Sequence, residues 1–305
     1  MSRFASSWRC TTNPILTPES FGLPSRKKWL ASSPTGDVCA HPTTSHQVAG
    51  PHRGPEARIG PNGGLEFDRA WALYTIDGRW VNAKRTAAIH LIRAAYAPDL
   101  SSVTLSVPGD RRNMFTAALA FPGDTERAAE WFSAYFEQQI IVRYAREGFP
   151  DDGLAPGPTI ISTASLQIVC EWFPGITIEE ARLRFRATLE IDVDRCAVTQ
   201  GEVPAFWEDQ LFAEDERSVV RFRIGEVAFE GSNPCARCPV PSRDSHTGEI
   251  LLDFTRRFTE MRRTTLPPWS PEMRFDHYYR LATNTRVPSS ESGKLLRLGD
   301  SLEFA

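Results

Sequence analysis

Residues 218–231 read SVVRFRIGEVAFEG, with Val220, Phe222 and Ile224 alternating against Arg221 and Arg223 before Gly225, and Val227 and Phe229 resuming the alternation after it. An apolar residue at every second position is the period of a strand with one buried face, and a glycine at the reversal supplies a hairpin turn. This pattern constrains the chain more than any other, because a strand pair with one apolar face needs a sheet and a core to cover it. The same period returns in SVTLSV, at Val103, Leu105 and Val107. Within LEFDRAWALYTIDGRWVNAKR, Asp77 and Gly78 suit the positive-φ turn of another hairpin. RFRATLEIDV is expected to be a strand, with Phe185, Ala187, Leu189 and Ile191 on one face and Arg184, Arg186, Thr188 and Glu190 on the other. MFTAALAF reads as a buried strand, and GKLLRLGDSLEF as a closing strand pair hinged at Gly299 and Asp300.

Helical spacing enters in three places. TERAAEWFSAYFEQQ sets Ala128, Trp131, Phe132, Tyr135 and Phe136 on one face, which predicts core packing. GPTIISTASLQIVCEWFPG predicts a short buried strand ending at Ser162, then a helix on which Leu166, Val169, Cys170 and Phe173 share a face, so that Cys170 is packing rather than reactive. Thr177 and Glu180 have the spacing of a capping box and predict a further short helix. The fold class is mainly β, or α+β, with helices as covers.

Composition divides the chain. Residues 1–57 are rich in Ser, Thr, Pro and Gly and carry few acids, a low-complexity stretch expected to be a disordered tail. Arg3, Arg9, Arg26, Lys27 and Lys28 among many serines also suit an organellar transit peptide. A small β domain is expected over 58–150 and a second domain over 151–305. A net charge of −3 with basic residues spread through the chain leaves no broad surface for nucleic acid or an anionic membrane, so an anionic ligand would have to be met by a few placed arginines. No apolar run approaches the roughly 18 residues of a membrane span. The six cysteines come without a secretory signal, which leads us to expect a reducing compartment, cytoplasmic or, with the transit-like tail, organellar.

The closest cysteine pair, Cys235 and Cys238, lies in NPCARCPVPSRDSHTGE. A structural zinc site would need a second pair of ligands at short spacing, and His246 stands alone. A thioredoxin-like dithiol would open a helix, which Pro239 and Pro241 oppose. Two readings stay open on these residues: a single thiolate presented beside Arg237 as a ligand for a thiophilic metal, or two small buried side chains in a turn.

At this loop the chain resembles the MOSC family, the domain type of molybdenum cofactor sulfurase carboxy termini and of the mitochondrial amidoxime-reducing component and its bacterial relatives. The resemblance covers about residues 58–305 and rests on GGLEFDRAWALYTIDGRWVNAKR, FPDDGLAPGPTIISTASL, RFRATLEI, FWEDQLF, IGEVAFEGSNPCARCPVPSRDSHTGE and GKLLRLGD, in the family's order. It implies a small amino-terminal β-barrel-like domain before a MOSC β-barrel with covering helices. It further implies that Cys238 is the thiolate bound to the metal of the molybdenum cofactor (Mo-molybdopterin), with Cys235 a neighbour. Arg69, Arg186 and Arg237 would contact its phosphate and pterin, and Ser162 or Thr163 would hydrogen-bond nearby. Thr188 stands where the family commonly has asparagine, and the family's first strand, Tyr-Pro-Val/Ile-Lys-Ser, is not found before Arg58. Asp152 and Asp209 are candidates for shaping the pocket or managing protons. The implied activity is reduction of N-hydroxylated or related small molecules; the other implied role is a non-catalytic cofactor or sulfur carrier. No four-cysteine cluster motif is present, so electrons are expected from a separate flavin or haem protein. Pyridoxal phosphate attaches to this family only by association with fused sulfurases, so sulfur mobilisation by this chain alone is not expected.

Overall fold

The computed structural model describes residues 38–46, 49–53, 56–112, 114–149, 153, 155–193 and 204–305, all within the unit Pro34–Ala305. In chain order the first strands are β1 (Val38–His46), β2 (Ala49–Arg53), β3 (Glu56–Arg58), β4 (Trp71–Thr75), β5 (Trp80–Val81), β6 (Arg93–Tyr96), β7 (Ser102–Ser106) and β8 (Thr116–Ala120). Helix α1 (Thr125–Phe136) and β9 (Ile140–Tyr144) follow, then β10 (Ile160–Ser162), α2 (Thr163–Trp172), α3 (Ile178–Phe185) and β11 (Leu189–Val193). The chain continues through β12 (Val220–Ile224), β13 (Val227–Ala236), α4 (Phe254–Thr264), β14 (Arg280–Arg286), β15 (Leu295–Arg297) and β16 (Leu302–Phe304). The architecture is mixed α/β and mostly strands, as the alternating patterns predict.

Eight strands form one curled, half-barrel sheet in the order β16-β12-β13-β14-β10-β11-β1-β2. Its pairs are antiparallel except β10 with β11. A parallel pair needs a long crossover, and α2 and α3 supply it. Ser162 ends β10 and caps α2, its Oγ accepting from Ser165 N at 3.1 Å. Thr177 caps α3 in the same way, accepting from Glu180 N at 3.2 Å, but the Glu180 carboxylate turns to Arg184 and Ser245. That departure from a reciprocal capping box matters below.

Two three-stranded sheets, β5-β4-β9 and β6-β7-β8, enclose the amino-terminal core with α1. Leu73, Val103, Leu105 and Phe132 are buried there, and Tyr135 and Phe136 pack against them as the helical spacing predicts. A second core lies on the large sheet around Phe222, Ile224, Val227 and Phe229, and a third joins α2, α3 and α4 through Phe173, Phe185, Phe254 and Phe258. Among the described residues no helix is long and apolar enough to cross a membrane.

The structure corrects three local expectations. RFRATLEIDV is strand only from Leu189: Phe185 is the last residue of α3, and Arg186 closes that helix in the left-handed region at φ 49°. The alternation misleads there because Arg184 and Phe185 are both buried, on a helix face rather than on opposite faces of a strand. In MFTAALAF, β8 buries Leu119 while Thr116, Ala118 and Ala120 are exposed, small residues that an outer strand tolerates. The final segments do not pair with each other; β15 pairs with β3, and β16 with β12. Of the expected tail, residues 1–37 lie outside the described residues, while the backbone of β1 and β2 extends the large sheet beyond β11.

Candidate functional site

A cavity of about 510 Å³ opens between the amino-terminal core and the third core. Its wall carries Arg69, Lys84, Arg184, Arg186 and Arg237, and none of the described lining residues is acidic. Low-dielectric walls around charges of one sign focus a field that favours anions. Of the residues singled out by sequence, Arg69, Arg186, Thr188, Arg237 and Cys238 line this cavity together.

Chain geometry explains how three distant segments meet. Arg69 sits in a turn before β4 at φ 52°, and its Nε and Nη2 reach Asp68 Oδ2 at 3.0 and 2.9 Å. Arg186 reaches the cavity because α3 stops there: the left-handed backbone, which costs an L-residue energy, redirects the side chain out of the helix. Arg186 N still bonds Arg182 O at 2.9 Å. Burial holds the Arg186 guanidinium below its ordinary pKa, and an ionised Cys238 works against that depression.

The cysteine loop leaves the sheet at the end of β13, where Ala236 pairs with Arg280 and Arg237 N bonds Tyr279 O at 3.0 Å. Arg237 then straps α3 to the loop: one guanidinium nitrogen donates to Phe185 O, another to Cys235 Sγ at 3.2 Å, and its plane lies over the Phe185 ring. Its Nε is buried and has no hydrogen-bond partner. Cys235 packs against the third core and Cys238 against the amino-terminal core, so the two sulfurs turn toward different neighbours although both border the cavity. Both are half-buried free thiols.

Beyond Cys238 the loop is stapled by α3. Arg184, buried, reaches Glu180 Oε1 at 2.6 Å and Pro241 O at 3.3 Å, while Glu180 accepts from Ser245 N at 2.9 Å and Ser245 Oγ at 2.5 Å. The i,i+4 pair therefore fixes the segment that follows the thiol. Arg184 was expected on a strand face with Arg186; it is instead a buried positioning group.

Ser162 and Thr163 do not line the cavity. Ser162 Oγ donates to Glu208 Oε2 at 2.8 Å, and Thr163 Oγ1 donates to Glu190 Oε1 at 2.7 Å. Glu190 in turn receives a two-nitrogen fork from Arg182, at 2.7 and 2.6 Å. Thr188 lies at the cavity with its N bonded to Thr159 O at 3.1 Å. Asp209 is buried in an ion pair with Arg262 and also accepts from Ser270, a structural role away from the cavity. Asp152 lies outside the described residues. Sequence reasoning missed Lys84, Asn233 and Asn284. A signal existed for the asparagines: they face each other in the β13–β14 register, and asparagine is a poor strand residue that packing alone would not select.

No family model matches the chain, and no curated protein matches it significantly. The chemistry of the site therefore rests on its own geometry. Two half-buried thiols, several cations and neutral amide and hydroxyl groups can hold a polyanion and offer one soft sulfur ligand. Among the described residues there is no cluster of three or more His, Cys, Asp or Glu side chains that could hold a metal ion without further help.

Proposed function

We propose that this chain is a MOSC-type protein that binds the molybdenum cofactor and reduces N-hydroxylated or related small molecules, using electrons from an external flavin or haem protein. The observation that carries the reading is the cavity wall itself: Cys238 shares it with Arg69, Lys84, Arg186 and Arg237, and no described lining residue is acidic. Those residues suit the group. A phosphate-bearing cofactor needs charge-assisted donors in a sheltered place, and the buried, unpartnered Nε of Arg237 is a donor in want of an acceptor. A thiolate suits a soft or high-valent metal.

In this reading Cys238 holds the metal, and Arg186, Arg237 and Arg69 grip the anionic part of the cofactor. Thr188 offers a hydroxyl where the family commonly has an amide, with amides available from Asn233 and Asn284. When bound, the cofactor supplies two-electron oxygen-atom chemistry. Arg184 and Glu180 hold the backbone after Cys238 in register. The finer architecture, a small amino-terminal β-barrel followed by a MOSC barrel, belongs to the same proposal and agrees with the two small sheets and the curled large one. The carrier alternative calls for a freely exposed thiol; the half-buried Cys238 favours retention.

The test is metal content by mass spectrometry on protein purified from a host that makes the cofactor, with Cys238→Ala beside it. Near-stoichiometric molybdenum that is lost in the variant, followed by turnover of N-hydroxylated compounds with a chemical reductant, is the expected result. Absence of molybdenum from the intact protein would reject the proposal.

A further inference from the structure

A cavity of about 510 Å³ is far larger than a lone phosphate needs and has the size of pockets that take organic ligands. Its cations account for an anionic end of the occupant, and the rest of the wall says what the remainder is. Two of the described lining residues are aromatic, Trp80 and Phe185. Phe185 is 1% exposed, packs in the third core and has the Arg237 guanidinium over its ring. Trp80 is only partly buried, so it is the aromatic group left to meet an occupant.

The sheet holds that ring in place. Val81 enters the amino-terminal core, and the period of a strand turns Trp80 to the other face of β5. There it stacks on Tyr74, its register partner on β4, with ring centroids 6.0 Å apart and planes 23° from parallel. Tyr74 is braced in turn: the Arg143 guanidinium carbon lies 4.7 Å from its ring centre, and Phe149 meets it edge-on at 6.5 Å. Phe149 N donates to Arg69 O at 3.0 Å, which ties the stack to an arginine of the wall. A ring braced before the ligand arrives loses little conformational entropy when it binds. The indole nitrogen is a second observation. Trp80 Nε1 is buried without a hydrogen-bond partner, although a buried indole N–H usually finds one. Among the described lining residues, the only other buried side-chain polar atom in that condition is Arg237 Nε. Both are donors, one from β5 and one from the loop after β13, and they call for an occupant that carries acceptors.

We infer that Trp80 is the ring-stacking residue of this pocket: a planar conjugated ring bearing nitrogen or oxygen acceptors lies against its indole, while the arginines hold an anionic group attached to that ring. A saturated, puckered occupant of the same charge forfeits the stack. The inference rests on the proposed function only for whose ring it is. Under that reading the ring belongs to an aromatic N-hydroxylated substrate or to the heterocycle of the cofactor, and both offer Trp80 the same chemistry.

The experiment is a calorimetric titration of the full chain, made in a host that lacks the cofactor, with phenyl phosphate and with cyclohexyl phosphate, which match in charge and nearly in size. Wild type and Trp80→Phe are expected to prefer the phenyl ester by about two- to tenfold, the strength of an aromatic stack. Trp80→Leu should lose the preference and bind cyclohexyl phosphate as wild type does. Should Trp80→Leu fail to fold, wild type labelled with 5-fluorotryptophan decides, its Trp80 ¹⁹F signal assigned by Trp80→Phe: the ring current of phenyl phosphate shifts that signal and cyclohexyl phosphate does not. Equal affinities in wild type, a preference that survives in Trp80→Leu, or an unmoved Trp80 signal overturns the inference. In molybdenum-loaded protein, Trp80→Leu then assigns the ring. Loss of molybdenum per folded molecule makes it the cofactor's; retained molybdenum, with KM raised about two- to tenfold for an aromatic N-hydroxyamidine and unchanged for an aliphatic one, makes it the substrate's. A variant normal in both respects overturns the inference as well. If wild type binds no molybdenum, the proposed function fails while the phenyl preference stands.

Discussion

Replacing Glu208 by glutamine should stabilise this protein, and increasingly so as pH rises. Glu208 is fully buried; its Oε2 accepts from Ser162 Oγ and Ser165 Oγ, both at 2.8 Å, while Oε1 has no partner. Burial is the main reason its pKa is pushed up from the ordinary 4.5 to about 7, with the neighbouring Asp209 charge adding to it. A carboxyl whose folded pKa is raised holds its proton more tightly in the folded chain than in the unfolded one. Stability is therefore lost as pH climbs from the unfolded value through the folded one, and levels off above about 7. The span of about 2.5 units corresponds to roughly 3 kcal/mol in all, and about 2 kcal/mol of it falls between pH 5.5 and 8. Glutamine fills the same volume without titrating, and both serine hydroxyls can turn to accept from its amide. Urea unfolding of wild type and Glu208→Gln at the two pH values should show the variant's advantage growing by about 2 kcal/mol, a midpoint change on the order of 1 M. Parallel curves would mean that Glu208 is already ionised in the folded protein, and would refute the reasoning.

Three further outcomes are expected. Ser162→Ala removes both the α2 cap and a bond to Glu208, so it should cost about 1–2 kcal/mol in urea unfolding while leaving metal content per folded molecule unchanged. Gly231→Ala would set a Cβ 1.6 Å from Leu211 O; backbone must move, and a loss of roughly 3 kcal/mol or more, seen as failure to accumulate folded protein, is expected. Arg262→Met strands a buried Asp209 and should cost about 3–5 kcal/mol, partly recovered when Asp209→Asn is added, which a double-mutant cycle measures.

The strands and helices with a buried face were legible because burial itself imposes their period. Val103 and Leu105 of β7, and the α1 face from Ala128 to Phe136, follow from spacing alone. What escaped was set by contacts between distant segments. Arg186 looked like one more charge on a strand face, since nothing in RFRATLEIDV announces a left-handed helix terminus at a non-glycine residue. Its neighbour Arg184 became a staple because Glu180 and Ser245 happen to meet there, 65 positions apart in the case of Glu180 and Ser245. Ser162 carried the right local signal, a cap at the start of α2, but its hydroxyl answers to Glu208 rather than to the cavity.

Between Cys235 and Cys238 the chain passes from one core to another within three residues, so the cavity is also a seam. On one bank stand Arg69 and Lys84, on the other Arg186 and Arg237. A polyanion held by both banks would act as a rivet. Calorimetry should then find two overlapping melting transitions in the empty chain, one for the half with Trp71 and Trp131 and one for the half with Trp172. Once the anion is bound, a single sharper transition at higher temperature should replace them.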